Sequence, residues 1–410
     1  MAGHLFSFYI IKTFRLFGLI LLRGIAFLWP RSGKEIVIGG WCGELFIDNP
    51  KYLLLYLLEN TDYKITWIGK SAIVSQLPSH INLRFARMGS LYAFWRLLNA
   101  RTWICCQAIN LDLTSLPILG RGTCIDLWHG ILIKLIGEST PKLKSLNLRT
   151  SYFAELYHKM TQQLDSWVAV SNERMVDILC QGEPSRYKSS RILRVGTPRN
   201  DFLINNSYNE KVISALRHKY ASILGFDENR KIVLYLPTWR MRGDCVFAFY
   251  NQKSNVQEDW KKMLESHDAI LIEKHHYGTY ARYPLLKDSI CSIAIPASLQ
   301  NCVDVQELLL IANVLISDYS GAYIDYALLR RPVIHFAYDL EEYSTADSGL
   351  AYNLYDVAAG PIVTRLSELK TMVCQALTTT EFHPAKGFDR LVEYETGNAS
   401  AKITDFIRSI

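Results

Sequence analysis

The chain lacks the marks of several common classes. Its nine cysteines are scattered over 410 residues and odd in number, with Cys105 and Cys106 the one adjacent pair and no C-x-x-C. This excludes a disulfide scaffold and a cysteine-based zinc site, and it suits a reducing compartment. No H-E-x-x-H, H-x-H or D-x-D occurs, so no dedicated metal-ligand pattern stands out. Tandem repeats and biased tracts are missing as well. Charge of one sign is scarce: 45 Lys and Arg against 39 Asp and Glu leave +6. That excess is too diffuse to argue for nucleic acid, but it suits an anionic substrate or an anionic membrane surface. An uninterrupted apolar run of the ~20 residues needed to span a bilayer is also missing.

What is present is a composition able to fold. Hydrophobic residues make up 49% and charged residues 20% of the chain, which excludes disorder and collagen-like structure. At roughly 150 residues per domain the length corresponds to two or three domains.

Residues 5–29 are strongly apolar but are interrupted by Lys12, Arg15 and Arg23. At a helical period, His4 and these three cations fall within an arc of about 100°. Ile10, Phe14, Phe17, Leu21, Ile25 and Leu28 gather on the opposite side. The pattern predicts an amphipathic helix over residues 1–30 lying in a membrane interface, ended by Pro30 and Gly33. A spanning helix, or one packed on its own protein, are the competing readings. The basic residues within the apolar stretch and the lack of a small-residue cleavage site speak against a cleaved signal peptide.

The remainder alternates strand and helix patterns. Strands are predicted at 35–40, 63–68, 102–106, 231–236, 269–273, 314–317 and 332–336. Helices are predicted at 49–60, 92–98, 305–312 and 320–329. Alternation of this kind implies βαβ units in mostly parallel sheets, an α/β class. Polar motifs fall just after strands, where open α/β sheets bind ligands. We therefore expect two Rossmann-like domains facing a central cleft, one over 31–205 and one over 206–410. The last helix is a candidate to pack back on the first domain.

Four motifs can carry chemistry. In Asp126-Leu127-Trp128-His129-Gly130, followed by Lys134, the histidine is either a general base or a structural histidine beside Trp128. In Lys274-His275-His276, neighbouring side chains of a strand point to opposite faces, so Lys274 and His276 share one, and an anion site is favoured over a metal. In Ser317-Asp318-Tyr319-Ser320-Gly321, Ser320 stands where a helix N-cap would, so the turn is a phosphate cradle or an ordinary capped helix. Arg199 in G-T-P-R-N-D and Arg240 in P-T-W-R each place a guanidinium in a turn after a strand, for phosphate or for a surface ion pair.

Taken in order, W-H-G-x-x-x-K, G-x-P-R-N-D, L-Y-x-P-T-W-R, K-x-H-Y and the segment from Asp304 to Tyr343 resemble the CDP-glycerol:poly(glycerophosphate) glycerophosphotransferase family over roughly residues 35–385. That family includes teichoic acid primases and polymerases and related capsule enzymes. The resemblance implies a GT-B-type fold and peripheral attachment to the inner face of the cytoplasmic membrane. It implies transfer of a polyol phosphate from a CDP-activated donor to a hydroxyl of a lipid-linked glycan or growing polymer, releasing CMP. CDP-glycerol is the first choice of donor. CDP-ribitol, or a nucleotide sugar in a GT-B glycosyltransferase, are the alternatives. No cofactor and no metal ligand are implied. Carried over by motif, His129 and His276 are the essential histidines, and either is a candidate base. Arg199, Thr238, Arg240, Lys274, Asp318, Ser320 and Gly321 lie on the donor side. Trp128, Gly130 and Lys134 lie on the acceptor side. Gly321 departs from the pattern, since family members often carry a second hydroxyl residue there.

Overall fold

A computed structural model of the protein describes residues 17–140, 166–238, 254–275, 291–299, 302–346, 349–379 and 381–410. Short runs rich in Ile, Val and Leu form its strands. Because both faces are covered by helices, most of these runs carry consecutive apolar residues and do not alternate.

The first sheet has seven parallel strands: β1 (Ser32–Gly39), β2 (Lys64–Gly69), β3 (Leu83–Arg87), β4 (Ala100–Cys105), β5 (Thr123–Asp126), β6 (Ser166–Val170) and β7 (Ile192–Arg194). Their spatial order is β3-β2-β1-β4-β5-β6-β7. The second sheet has β8 (Lys231–Leu236), β9 (Ala269–Glu273), β10 (Ser292–Ala294), β11 (Val314–Ser317), β12 (Val333–Phe336) and β13 (Ile362–Val363), in the order β10-β9-β8-β11-β12-β13. Every pairing is parallel. Each order reverses once, between β1 and β4 and between β8 and β11. A crevice opens at such a switch point, outside the carboxyl ends of the strands.

Helices cover both sheets. Helix Asp48–Asn60 buries Leu53, Leu54 and Leu57 on the first sheet. On the second, Trp260, Leu264, Leu369 and Val373 pack on one face, and Tyr220 and Leu308 on the other. Strands β3, β5, β6, β7, β10 and β13 are not among the predicted ranges: each has five residues or fewer, and β3 is half polar. The helix expected over 320–329 is regular only from Ala322 to Ala327, and its N-cap position belongs to Gly321, not Ser320.

Residues 17–28 are helical. Ala26 is fully buried among Ala93 and Leu97, with Leu22 and Trp29 packed against the same cluster. The opposite side stays open: Phe17, Leu21 and Leu28 are 67%, 57% and 78% exposed. This stretch therefore docks on its own domain by one flank and leaves its apolar face uncovered. Among the described residues no helix is long and apolar enough to cross a membrane. Residues 1–16, with His4, Lys12 and Arg15, lie outside the described part.

Several ties join the two sheets' domains. Helix Pro198–Asn206 packs on helices Asp48–Asn60 and Val305–Ile311. The Lys51 ammonium reaches Asp304 (2.7 Å) and Glu307 (3.1 Å) across the divide. A backbone bridge pairs Lys134 with Leu350, and Ala351 N–H donates to Ile133 O at 2.8 Å. The C-terminal helix Ala399–Ser409 returns to the first domain, placing Ile403 and Ile407 in the core with Leu53. Asp201 caps its start by accepting from Ala399 N (2.9 Å) and Ser400 N (2.7 Å).

Candidate active site

Both switch points open on one cavity of about 400 Å³ between the domains. Trp41, His129 and Lys134 wall it on one side; Thr238, Lys274 and Ser320 wall it on the other.

The His129 loop is built from β5 outward. Asp126 closes the strand, accepting from Trp128 N (2.9 Å) and from the Tyr187 hydroxyl (2.9 Å), and its carboxylate pairs with Arg186 at 2.5 Å. Asn49 Nδ2 donates to the carbonyls of Leu127 (3.2 Å) and Trp128 (3.0 Å). So held, Trp128 takes a φ of 54° and Gly130 one of 137°. The first is a strained conformation for a bulky residue, and the second is open in practice only to glycine.

His129 itself is exposed toward the cavity. Its ring stacks on Trp128, with centroids 4.6 Å apart, and meets the edge of Trp41 at 6.3 Å. Nδ1 lies 3.2 Å from the Cys106 carbonyl. A carbonyl can only accept, so Nδ1 carries a proton, and in the neutral ring the lone pair is on Nε2. The Cys106 segment is fixed in turn by the buried Asp112, which accepts from the N–H groups of Cys106 (2.9 Å), Gln107 (2.8 Å) and Cys42 (3.0 Å). Burial raises the Asp112 pKa, and these three donors oppose the shift.

On the other side, Asp318 joins the ends of β8 and β11. Its carboxylate accepts from Thr238 N (2.9 Å) and Tyr319 N (2.7 Å). The Asp318 carbonyl meets His335 Nδ1 at 3.2 Å, while His335 Nε2 accepts from Ala359 N at 3.0 Å. Burial holds His335 down to about 4, so it is a neutral structural imidazole. Ser320 Oγ accepts from Ala322 N at 3.3 Å. Gly321 lies against the first domain: a Cβ there would come 3.1 Å from Ile131 O. Lys274 follows β9, and burial pushes its ammonium down to about 8.

The structure thus brings His129, Trp128, Gly130, Lys134, Thr238, Lys274, Ser320 and Gly321 to one cavity. Asp318 is buried behind it as a brace for Thr238 and Tyr319. Arg199 lines the same cavity, but its guanidinium is engaged by Asp48 and Asp325. His276 and Arg240 lie outside the described residues. Among the described residues no group of three His, Cys, Asp or Glu is placed to hold a metal. Sequence reasoning missed Asp48, Asn49, Asp112 and Asp325. The D-N-P turn was a signal for the first two; nothing local marked the others. A second cavity of about 380 Å³ touches Leu340, Ser344 and Tyr352. There the Ser344 and Tyr352 hydroxyls already donate to Leu340 O and Asn172 Oδ1.

The teichoic acid poly(glycerol phosphate) polymerase of Bacillus spizizenii is 26% identical over 393 residues, covering 94% of each chain. The teichoic acid glycerol-phosphate transferase of Staphylococcus aureus is also 26% identical, covering 89% of this chain and 90% of its own. In three dimensions the chain resembles the solved wall teichoic acid polymerase TagF, with a TM-score of 0.72 at 22% identity over 98% of this chain and 97% of that one. The family model for CDP-glycerol:poly(glycerophosphate) glycerophosphotransferase matches residues 28–409, and the chain therefore belongs to that family of phosphotransferases.

Proposed function

We propose that the protein transfers glycerol phosphate from CDP-glycerol to a hydroxyl of a lipid-linked, teichoic-acid-like or capsule polymer, releasing CMP, in a GT-B-type arrangement. The observation that supports this most is that His129, Lys274 and Ser320 line one interdomain cavity. His129 Nε2 takes the acceptor hydroxyl proton as the oxygen attacks the β-phosphorus. The new P–O bond forms as the bond to the bridging oxygen breaks, and CMP leaves with that oxygen. Phosphoryl transfer depends mainly on positioning and charge neutralisation. Lys274 and the turn at Ser320 and Gly321 serve the diphosphate, braced by Asp318 and Thr238. Trp128, Gly130 and Lys134 shape the acceptor side. By motif, Arg240 belongs with the donor group and His276 is the second essential histidine, beside the diphosphate. A screen of CDP-glycerol, CDP-ribitol and common nucleotide sugars, read by the nucleotide released, tests this. CMP from CDP-glycerol supports the reading, and nucleoside diphosphate from a sugar donor replaces it with a glycosyltransferase.

Donor affinity carries a pH signature. Below pH 8 Lys274 is protonated and attracts the diphosphate; above it the charge is lost. The donor dissociation constant is therefore expected to rise as pH climbs through about 8, and binding near that pH takes up protons. Lys274→Arg, which stays charged, removes this break. Calorimetry in buffers of different ionisation enthalpy measures both.

The open face of residues 17–28 is read as lying in the inner leaflet interface of the cytoplasmic membrane, with the exposed Arg23 toward headgroups. Because Ala26 holds this helix to its domain, surface substitution is a cleaner test than deletion. L21E together with L28E is expected to cut binding to phosphatidylglycerol vesicles by roughly tenfold or more, with turnover on a soluble acceptor kept. Unchanged vesicle binding removes this face from the membrane.

A further inference from the structure

The buried guanidinium of Arg199 is the point where the base loop and the donor helix meet. Its Nη1 donates to Asp48 Oδ1 (2.9 Å) and to the His129 carbonyl (3.2 Å). Its Nη2 pairs with Asp325 Oδ2 at 2.6 Å. Asp48 belongs to the first domain and is itself fixed by Trp41 Nε1 (3.1 Å) and Asn49 N (2.8 Å). Asp325 belongs to the second, one turn beyond Gly321, and accepts from Gln306 Nε2 at 3.0 Å. Asn49 Oδ1 accepts from Arg199 N at 3.1 Å, so the backbone of Arg199 is tied to the side chain that also holds the Leu127 and Trp128 carbonyls. The loop is shaped to admit this group, since a Cβ on Gly130 would lie 2.8 Å from Arg199 Nη2.

We propose that Arg199 is a positioning residue, not a phosphate ligand: it sets the separation between His129 and the donor-side turn at Ser320 by clamping Asp48 and Asp325 across the domain boundary. This rests on the transferase reading above. A planar fork is suited to the task because it fixes direction as well as distance for two carboxylates at once. Lysine supplies the charge at a single point and cannot hold both. The domains have other ties, at Lys51 and at the bridge of Lys134 to Leu350. Loss of the clamp therefore loosens the cleft without separating its walls, and a small error in the alignment of base and phosphorus is costly to the rate.

R199K, D325N and the double variant are compared with the wild-type chain for CMP release, for affinity toward CDP-glycerol without acceptor, and for interdomain distance. The last uses spin labels on Ile81→Cys and Tyr355→Cys, two exposed sites, in a Cys302→Ser background. Each single variant is expected to lose roughly 10- to 100-fold in kcat. Donor affinity should stay within about threefold, because the donor-side turn is intact. The double variant should fall no further than the worse single one, since both cut the same bridge, and the distance distribution should widen. Two results overturn the proposal: a loss of donor affinity of about tenfold in R199K with none in D325N, which marks a phosphate ligand, or kcat within about threefold of wild type in both single variants. D325N preserves shape and keeps the test open should R199K fold poorly. Failure of the wild-type chain to turn over CDP-glycerol overturns the transferase reading instead, and the distance measurement still reports on the clamp.

Discussion

His129→Ala is expected to lower CMP release from CDP-glycerol by about 10²–10⁴-fold, the usual contribution of a positioned general base. Donor affinity should change little, because the groups assigned to the diphosphate sit on the other wall of the cavity. The fold should survive, since His129 is exposed and its ring meets the Cys106 carbonyl, the face of Trp128 and the edge of Trp41. The tautomer argument adds a finer expectation. Replacing Asp112 by Asn frees the Cys106 segment and weakens the contact that keeps the proton on Nδ1. A fraction of the loss seen in His129→Ala should therefore appear in Asp112→Asn. Steady-state release of CMP, beside a thermal melt, checks both. A folded His129→Ala chain with wild-type turnover assigns the base elsewhere.

Asp318→Ala is expected to be the most disruptive change on the donor wall. The carboxylate is 1% exposed and receives the N–H groups of Thr238 and Tyr319. Removing it leaves two buried donors without an acceptor, at about 1–3 kcal/mol each. The ends of β8 and β11 lose their common brace, and the turn carrying Ser320 loses its register against Thr238. Donor affinity should drop at least tenfold, together with a lowered thermal midpoint; a cost of a few kcal/mol is large against ordinary domain stability. Asp318→Asn, which keeps one acceptor, should recover part of both. Preserved donor affinity in a destabilised Asp318→Ala chain would show that the brace serves the fold and not the site.

Much of the architecture was legible along the chain. Runs such as K-I-V-L-Y-L over β8 and V-L-I-S over β11 are apolar on both faces, and a strand buried on both sides has to be. Their ends matched the sequence reading to the residue, as did those of β9. Helix Asp48–Asn60 announced itself through Leu53, Leu54 and Leu57, which share a face. The donor-side turn was harder. Ser320 has the chemistry of an N-cap and its hydroxyl accepts from Ala322 N, yet the regular helix starts two residues later, and Gly321 between them lies against the Ile131 carbonyl of the other domain. That contact belongs to the domain interface and leaves no local trace.

Read along the chain, the residues carry the α/β class, the placing of polar motifs after strands, and the membership that those motifs spell in order. These are properties of neighbouring residues, set by burial periodicity and turn chemistry. Which partners a motif side chain meets is a property of the folded chain. A guanidinium binds phosphate and carboxylate with the same fork, so nothing near Arg199 in the chain could foretell that Asp48 and Asp325, one in each domain, take it up. Likewise the imidazole of His129 has two equivalent tautomers until the Cys106 carbonyl, carried by the adjacent strand end, selects one. Both outcomes depend on partners that are remote in sequence and brought near by two sheets reversing at a shared crevice.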